Sequence, residues 1–482
     1  MEIAIRFRRA LLLACWCVAT VGVPAAHCGA ADATTTRPNV VYILADDLGW
    51  KDVGFHGSDI KTPNLDSLAR GGARLEQFYA QPMCTPTRAA LMTGRYPLRY
   101  GLQTAVIPSA GTYGLATDEW LLPQALKEAG YETAIVGKWH LGHARRELWP
   151  RQRGFDHQYG PLLGEIDYFT QTAHGKRDWF RDNRPNADTG YVTTMLGIDA
   201  ARLIHEHDPS APLFLYLAFT APHAPYQALP SHLEQYKGIA DPSRRAYAAM
   251  ITAMDDEIGR VLQALEARHM RDNTLIVFHS DNGGARSAKF TGEIDTSKMT
   301  IPCDNGPYRD GKGTLYEGGT RVVALANWPG KIPAGSVVDQ PIHVVDMYPT
   351  LAAIAGASLT KTKPLDGVDV WPTISAGARS PRNEVVYNVE PFGGAVRQGE
   401  WKLVWRATLP SQQELFDLAT DPSEKTNVAA QHPEKVAELQ KRIESLAQEA
   451  APPLLLKEAL GVTMQTLFGD TSLPDDEIEL QP

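Results

Sequence analysis

The sequence predicts an α/β fold built on a large, mostly parallel sheet, and two observations support this prediction. Short apolar runs rich in β-branched residues recur at residues 40–44, 133–136, 213–219, 275–278 and 322–326. The segments between them have helical periodicity, which is clearest at residues 245–268 and is also present at 120–128 and 349–354. Continuous apolar strands that alternate with helices are typical of a sheet covered on both faces.

The pattern changes near residues 365–380, where Gly, Pro and Ser gather. Beyond this point, residues 384–389 and 402–405 read as antiparallel strands, and residues 432–447 read as a helix. We therefore expect a large domain over residues 37–370 and a smaller C-terminal α+β domain over residues 381–450. Residues 451–482 are expected to form a loosely packed tail.

The N-terminus has the pattern of an export signal. Arg6, Arg8 and Arg9 precede an apolar run at residues 10–23, which is short for a membrane span, and small residues follow. Residues 1–30 are therefore predicted to be a signal peptide, with an uncleaved membrane anchor as the alternative. Beyond residue 30 the chain has two cysteines, Cys84 and Cys303, so it is not a disulfide scaffold. We expect an exported protein, periplasmic or secreted, with no membrane span in its mature form.

The charge composition argues against a nucleic-acid partner. The formal net charge is -9, from 47 basic and 56 acidic residues, and the sequence contains no basic stripe. An acidic protein that binds an anionic substrate must therefore place its positive charges locally.

Polar residues of types that bind metal ions or transfer protons follow four of the predicted strands. Because ligands bind outside the carboxyl ends of strands in open α/β sheets, these residues are expected to meet at one edge. The alternative for each residue alone is an ordinary turn or cap. The residues are Asp46, Asp47, Lys138, His140, His223, Asp281 and Asn282.

The acidic and amide members of this set predict a metal site. Asp46, Asp47, Asp281 and Asn282 offer oxygen ligands, which suit calcium or magnesium rather than zinc. Two adjacent buried aspartates need a cation, since like charges would otherwise force one to be protonated. In contrast, the acidic run at residues 255–257 lies within a long amphipathic helix and is interpreted as mainly a solvated face.

The most specific motif is CTPTR at residues 84–88. A buried free cysteine at a helix start is the plain interpretation. However, the motif resembles the Cys-x-Pro-x-Arg signature of type I sulfatases, in which the cysteine is oxidised to formylglycine. Five further segments are similar to that family and occur in its order: ADDLG at 45–49, GKWHLG at 137–142, APHAP at 221–225, SDNGG at 280–284 and GKGTLYEGG at 311–319.

The resemblance implies an alkaline-phosphatase-like fold and a sulfatase catalytic domain over residues 37–370. It implies a calcium ion held by Asp46, Asp47, modified Cys84, Asp281 and Asn282. It also implies a catalytic sulfate pocket of Cys84, Arg88, Lys138, His140, His223 and Lys312. A formylglycine-generating enzyme would be a partner during maturation.

A chemical argument accompanies the resemblance. A hydrated aldehyde at position 84 has two hydroxyls, so one can attack sulfur and the other can expel sulfate afterwards. Calcium would acidify the attacking hydroxyl. His140 is the expected base for the release step, and His223 and Lys312 would hold the sulfate and protonate the leaving oxygen.

The substrate is less sharply defined. The stretches LGEIDY at 163–168, DWFR at 178–181 and TGY at 189–191 are similar to the arylsulfatase B branch, which includes N-acetylgalactosamine-4-sulfatases. Tyr168, His174, Trp179 and Arg181 are therefore candidate contacts to a sulfated sugar. The alternative is that this loop merely packs over the sheet. We expect a sulfated carbohydrate or an aryl sulfate as substrate, for example 4-sulfated N-acetylgalactosamine of glycosaminoglycans.

Two other functions stay open at this point. The first is hydrolysis of a phosphate or phosphonate monoester, an activity found in the same superfamily. The second is binding without catalysis by an exported sulfated-glycan-binding protein in which Cys84 is unmodified.

Overall fold

The computed structural model describes residues 37–285 and 301–468, with side chains described up to residue 463. The predicted signal peptide at residues 1–30 lies outside the described residues. The strands in chain order are β1 Asn39–Ala45, β2 Ala73–Leu75, β3 Phe78–Tyr79, β4 Glu132–Gly137, β5 His157–Gly160, β6 Thr172–Ala173, β7 Lys176–Arg177, β8 Phe180–Arg181, β9 Arg184–Pro185, β10 Leu213–Ala218, β11 Thr274–Ser280, β12 Ala324–Asn327, β13 Ser336–Val338, β14 Ile342–His343, β15 Glu384–Glu390, β16 Gly393–Gln398, β17 Trp401–Arg406 and β18 Gln412–Asp417. The α-helices are α1 Pro63–Arg70, α2 Cys84–Thr93, α3 Leu122–Glu128, α4 Val192–Glu206, α5 Pro230–Gln235, α6 Pro242–Ala267, α7 Glu317–Thr320, α8 Met347–Ala355, α9 Trp371–Ala376, α10 Pro433–Gln448 and α11 Leu454–Phe468.

The large sheet has ten strands in the order β13-β2-β12-β11-β1-β10-β4-β5-β8-β9. The five strands from β11 to β5 run parallel to one another, while β12 pairs with β11 in the antiparallel sense and β8 does so with β5. The prediction of a large, mostly parallel sheet is therefore confirmed. The family resemblance implies a mixed sheet, and β12 and β8 supply its antiparallel pairs.

Both faces of this sheet are covered, as the continuous apolar runs require. Along β1, the side chains of Val40, Tyr42 and Leu44 join one hydrophobic core with helices α2, α3 and α8, and Val41 and Ile43 join a second core with α4 and α6. This alternation follows from the two-residue period of a strand. Every residue of β1, β10 and β11 is buried.

A smaller C-terminal sheet of four antiparallel strands, β15-β16-β17-β18, carries helix α10. The face of this sheet that is covered by α10 continues the first core of the large sheet, and its other face forms a third, smaller core with Tyr79 and Tyr316. A buried ion cluster also links the two parts. The Lys402 ammonium on β17 lies 2.9 Å from Glu317 and 2.8 Å from Glu424, and all three side chains are fully buried.

The described part of the predicted tail contains helix α11, and none of its described side chains is fully buried. Helix α11 begins at Leu454, whose N–H donates to the Gly101 carbonyl, and the Ala451 N–H donates to Leu98. The Glu458 carboxylate accepts a hydrogen bond from the Thr112 N–H at 2.7 Å. These contacts hold the segment against residues 98–112. Among the helices that the structure describes, none is long and apolar enough to cross a membrane.

Candidate active site

The carboxyl edge of the large sheet brings the predicted polar residues together. Strands β11, β1, β10 and β4 are consecutive in the sheet, and each is followed by a loop that carries members of the set. Adjacent strand ends therefore place residues that are far apart in sequence within contact distance, as expected for an open parallel sheet.

An acidic cluster forms where β1 and β11 end. The Asp47 N–H donates to the Asp281 carboxylate at 3.3 Å, and the Asn282 amide donates to Asp47 at 2.7 Å. Single ligand atoms of Asp46, Asp47, Cys84 and His223 lie within 4.8 Å of one another. The buried carboxylates in this group are the donors that a hard cation prefers.

The oxygen of Asn282 gives a second indication of a cation site. Its Oδ1 atom is buried and has no hydrogen-bond partner among the described residues, while its amide nitrogen is satisfied by Asp47 and Gly283. A buried carbonyl oxygen without a partner is costly, and a bound cation would satisfy it. The residues present therefore fit a divalent metal ion.

Cys84 is the first residue of helix α2 and is buried against the acidic cluster. Its Sγ atom lies 3.5 Å from Asp46 Oδ1. Burial, together with the nearby Asp281 charge, raises the pKa of the Cys84 thiol well above its usual value. An unmodified Cys84 thus stays protonated at neutral pH and is a poor nucleophile.

Arg88 lies one helical turn after Cys84, on the same face of α2. Its guanidinium is fully buried, contacts Asp281 at 2.9 Å, and donates to the Lys138 carbonyl at 3.0 Å. Burial and the Asp46 charge raise the pKa of Asp281 to about 6, although Arg88 opposes this shift. Arg88 therefore both neutralises the acidic cluster and ties it to the end of β4.

Two lysines balance the acids from opposite sides. The Lys138 ammonium lies 2.5 Å from Asp46, and the Lys312 ammonium lies 2.8 Å from Asp47. Burial opposes ionisation of Asp46, but Lys138 and the neighbouring cationic groups outweigh burial and lower the pKa of Asp46 below its usual value. The net-acidic protein thus concentrates positive charge at this edge, which suits an anionic ligand.

His140 is held in a defined orientation beside this cluster. Its backbone has a left-handed φ of 58°, which is uncommon for a residue other than glycine. Because a carbonyl can only accept, the 3.1 Å contact of Nε2 with the Ile107 oxygen places the ring proton on Nε2. Burial and the Lys138 charge lower the pKa of His140 well below its usual value, so the ring is neutral. Its Nδ1 atom then has a lone pair, and no described group bonds to it.

His223 follows β10 and faces Asp47. Its Nδ1 atom donates to the Ala224 carbonyl at 2.5 Å, so Nε2 points towards Asp47, at 3.7 Å from the carboxylate. Burial and the Lys312 charge lower the pKa of His223.

A cleft of about 280 Å³ opens beside Cys84. Its lining combines Cys84, His140, His223 and Lys312 with residues 106–109, Leu163, Gly164, Glu165 and His174. The cleft thus offers cationic and imidazole groups that suit a small anion, together with further polar and apolar lining for the group attached to that anion.

Of the four residues predicted to contact the substrate, one lines the cleft and three do not. His174 lines the cleft. Tyr168 and Trp179 are each 1% exposed and belong to the second hydrophobic core, so neither ring has a face for a sugar, which corrects that expectation. Arg181 is partly exposed but lies over the Tyr159 ring and pairs with Asp199 at 2.7 Å, and it does not line the cleft. None of these three side chains lines the described cleft.

Sequence reasoning missed Glu165 and the apolar wall at residues 106–109. Glu165 lies within the quoted stretch at residues 163–168, but its neighbour Tyr168 was selected because aromatic rings often stack on sugars. Val106, Ile107 and Pro108 are apolar and carry no catalytic group, so no pattern in the sequence marks them.

Together, the fold and the site define an α/β protein that can hold a divalent cation and an anionic group side by side at the edge of a parallel sheet. Residues 38–357 match the family model described as sulfatase, and residues 308–449 match the model described as N-sulphoglucosamine sulphohydrolase, C-terminal. The chain therefore belongs to the sulfatase family.

Individual relatives agree with this membership. Arylsulfatase J of Mus musculus is 40% identical over 396 residues, which are 79% of this chain and 64% of the relative. N-acetylgalactosamine-6-sulfatase of Homo sapiens is 36% identical over 362 residues, which are 70% of this chain and 66% of the relative. The chain thus spans about two-thirds of the length of each. The crystal structure of Ps i-CgsB in complex with k-i-k-neocarrahexaose superimposes with a TM-score of 0.79 at 32% identity, over 90% of this chain and 98% of that one.

Proposed function

We propose that the protein hydrolyses a sulfate ester of a sugar, with formylglycine formed from Cys84 as the nucleophile and calcium as the metal ion. The observation that carries this proposal is the convergence at one sheet edge of Cys84, the acidic cluster and the cationic groups of Arg88, Lys138 and Lys312.

Each group has a role that follows from its position. Asp46, Asp47, Asp281 and Asn282 supply the oxygen ligands of the calcium ion, together with position 84. When bound, calcium supplies positive charge that acidifies the nucleophile and stabilises the developing charge on sulfate. Formylglycine supplies a hydrated aldehyde whose second hydroxyl permits release of sulfate, which a serine or a thiol lacks.

The remaining residues bind the sulfate and move protons. Lys138 and Lys312 neutralise charge on the sulfate oxygens, and Arg88 fixes the group at position 84. His140 takes up a proton at Nδ1 when sulfate is released, because that atom has a lone pair and faces no other bonding group in the described structure. The proton for the leaving oxygen comes from the Lys312 ammonium, or from Nε2 of His223 when that ring is in its imidazolium form.

The proposed substrate is a sulfated sugar such as 4-sulfated N-acetylgalactosamine of glycosaminoglycans. The similarity of residues 163–168 to the arylsulfatase B branch supports position 4, whereas the name of the human relative points to position 6. The cleft volume of about 280 Å³ supports a substrate in which the sulfate and one sugar ring occupy the cleft. Released sulfate from the 4-sulfated and 6-sulfated monosaccharides, measured in parallel, decides between the two positions.

Mass spectrometry of the peptide that contains Cys84, from protein made in the native host, tests the nucleophile. We expect the mass of an aldehyde or its hydrate, and Cys84→Ala should abolish turnover of 4-nitrophenyl sulfate while the thermal unfolding temperature is retained. Cys303→Ala is the matched cysteine control and should keep activity. A plain thiol at position 84 throughout would instead favour a sulfated-glycan-binding protein.

Parallel assays on aryl sulfate and aryl phosphate test the reaction class. We expect a higher kcat/KM on the sulfate, and a higher value on the phosphate would contradict the proposal and favour a phosphate or phosphonate monoesterase. Chelation with EGTA should lower both activity and the unfolding temperature, since the clustered acids then lose their counter-charge. Restoration by calcium but not by magnesium is expected if calcium is the resident ion.

Export to the periplasm or outside the cell is also part of the proposal. It is supported by the signal-peptide pattern at residues 1–30, which lies outside the described residues. N-terminal sequencing of the mature protein from its host tests the expected cleavage, and a retained Met1 would contradict it. A formylglycine-generating enzyme is the partner that this maturation requires.

A further inference from the structure

The cleft beside Cys84 is lined by two chemically different sets of residues. The first set is Lys312, His223 and His140, which suit the sulfate group. The second set is Glu165 and His174, together with the apolar side chains of Val106, Ile107 and Pro108. A sulfate group has no need of the second set, so the chemistry of that set bears on the rest of the substrate.

Glu165 is positioned by an ion pair with His174 and by the packing of the residue before it. Its Oε1 atom lies 2.8 Å from His174 Nε2, and its side chain is 18% exposed. The preceding residue, Gly164, packs directly on the His140 ring, because a Cβ at position 164 would lie only 2.2 Å from the ring. The backbone at Glu165 therefore has a fixed relation to the proposed base.

Glu165 is also the sole carboxylate among the described residues that line this cleft. A carboxylate has about four acceptor sites, so the contact with His174 does not exhaust its capacity for hydrogen bonds. A sugar ring offers hydroxyl donors at its edge and C–H groups on its faces. The hydroxyls can donate hydrogen bonds to a carboxylate, and the C–H groups can pack against the apolar side chains of Val106, Ile107 and Pro108.

We propose that Glu165, positioned by His174, recognises the substrate by accepting a hydrogen bond from a hydroxyl of the sulfated sugar ring. This inference rests on the proposed sulfatase function and adds a specificity residue to it. The negative charge of Glu165 also disfavours a second anionic group at this place, so the ring bound here carries one sulfate and no carboxylate.

The test compares Glu165→Met and Glu165→Gln with the wild type and with Glu234→Met, a control at an exposed glutamate of α5. The substrates are the sulfated N-acetylgalactosamine that the wild type hydrolyses best and 4-nitrophenyl sulfate, which has no hydroxyl. For E165M we expect a loss of about 10- to 100-fold in kcat/KM on the sugar, the usual effect of losing a hydrogen bond to a charged group. E165Q keeps a neutral acceptor and should lose less.

Both variants should remain within about threefold of the wild type on 4-nitrophenyl sulfate, which also shows that they fold. Equal losses on the two substrates would overturn the inference, because they would mean a structural or catalytic role. An unchanged kcat/KM on the sugar would overturn it as well.

A binding measurement separates this inference from the proposed function. The Kd of the sulfated sugar is measured by calorimetry for Cys84→Ala with and without Glu165→Met, in the presence of calcium. A Kd raised by at least tenfold supports recognition by Glu165, and an equal Kd refutes it. If the wild type releases no sulfate from either substrate, the proposed function fails, and the two Kd values still decide the role of Glu165.

Discussion

Substitution of Gly164 by alanine tests how closely activity depends on the position of His140. The backbone of Gly164 has no left-handed φ, so alanine is conformationally allowed there. However, the added Cβ would lie 2.2 Å from Cε1, 2.4 Å from Nε2 and 2.8 Å from Nδ1 of the His140 ring. An ordinary contact is about 3.5 Å, so the ring must retreat by about 1 Å.

This retreat has a catalytic and an energetic consequence. His140 is 5% exposed, and its Nε2 atom bonds to the Ile107 carbonyl at 3.1 Å, so a ring that moves away from position 164 loses that bond. A misplacement of about 1 Å can lower kcat about 100-fold, and overpacking costs about 1–3 kcal/mol of unfolding free energy.

The assay measures kcat on 4-nitrophenyl sulfate and the free energy of unfolding in urea. Gly238→Ala is the matched control, because a Cβ at position 238 would meet no atom within 4 Å. A G164A protein whose kcat and unfolding free energy both equal those of G238A would show that the cleft wall tolerates the methyl group and that this reasoning is wrong.

Two further predictions concern buried acids outside the catalytic set. Asp255 accepts hydrogen bonds from the N–H groups of Asn64 and Leu65 in the first turn of α1. Asp255→Ala should therefore lower the free energy of unfolding by about 2 kcal/mol, whereas Asp256→Ala, at its exposed neighbour, should change it by less than about 0.5 kcal/mol. Urea denaturation measures both values, and equal effects would contradict this assignment. Burial raises the pKa of Asp178 to about 6, so its stabilising contribution is complete below pH about 4 and is lost as the pH rises through about 6. The free energy of unfolding of the wild type should thus increase relative to Asp178→Asn by about 1 kcal/mol between pH 7 and pH 5, and a difference independent of pH would argue against a raised pKa.

The sequence was sufficient to predict the central strands and the convergence of their polar ends. Each strand is a local apolar run, and a parallel sheet brings the residues after Ala45, Gly137, Ala218 and Ser280 to one edge without further information. The family resemblance added Arg88 and Lys312, whose contacts with the acids depend on helix α2 and on a long loop. The roles of these residues remain part of the proposed function.

Burial of individual side chains could not be predicted in the same way. Asp255 belongs to a run of acids interpreted as a solvated face, yet it is buried because the start of helix α1 packs against it and supplies N–H donors. Tyr168 has a hydroxyl, but the Thr220 and His223 carbonyls satisfy it inside the core. In each case the partner comes from a distant part of the chain, so no local pattern reveals it.

The cluster of Lys402, Glu317 and Glu424 has a consequence for the way the protein can be divided. Glu317 lies five residues after Lys312, and its charge is compensated from β17 of the small sheet. Removing one partner of such a buried pair costs about 3–5 kcal/mol, a large share of the stability of an average protein. A minimal fragment ending near residue 380 would therefore lose Lys402 and Glu424, and with them the support of the segment that carries Lys312. A recombinant form of the protein thus needs strands β15–β18 as well as the large sheet.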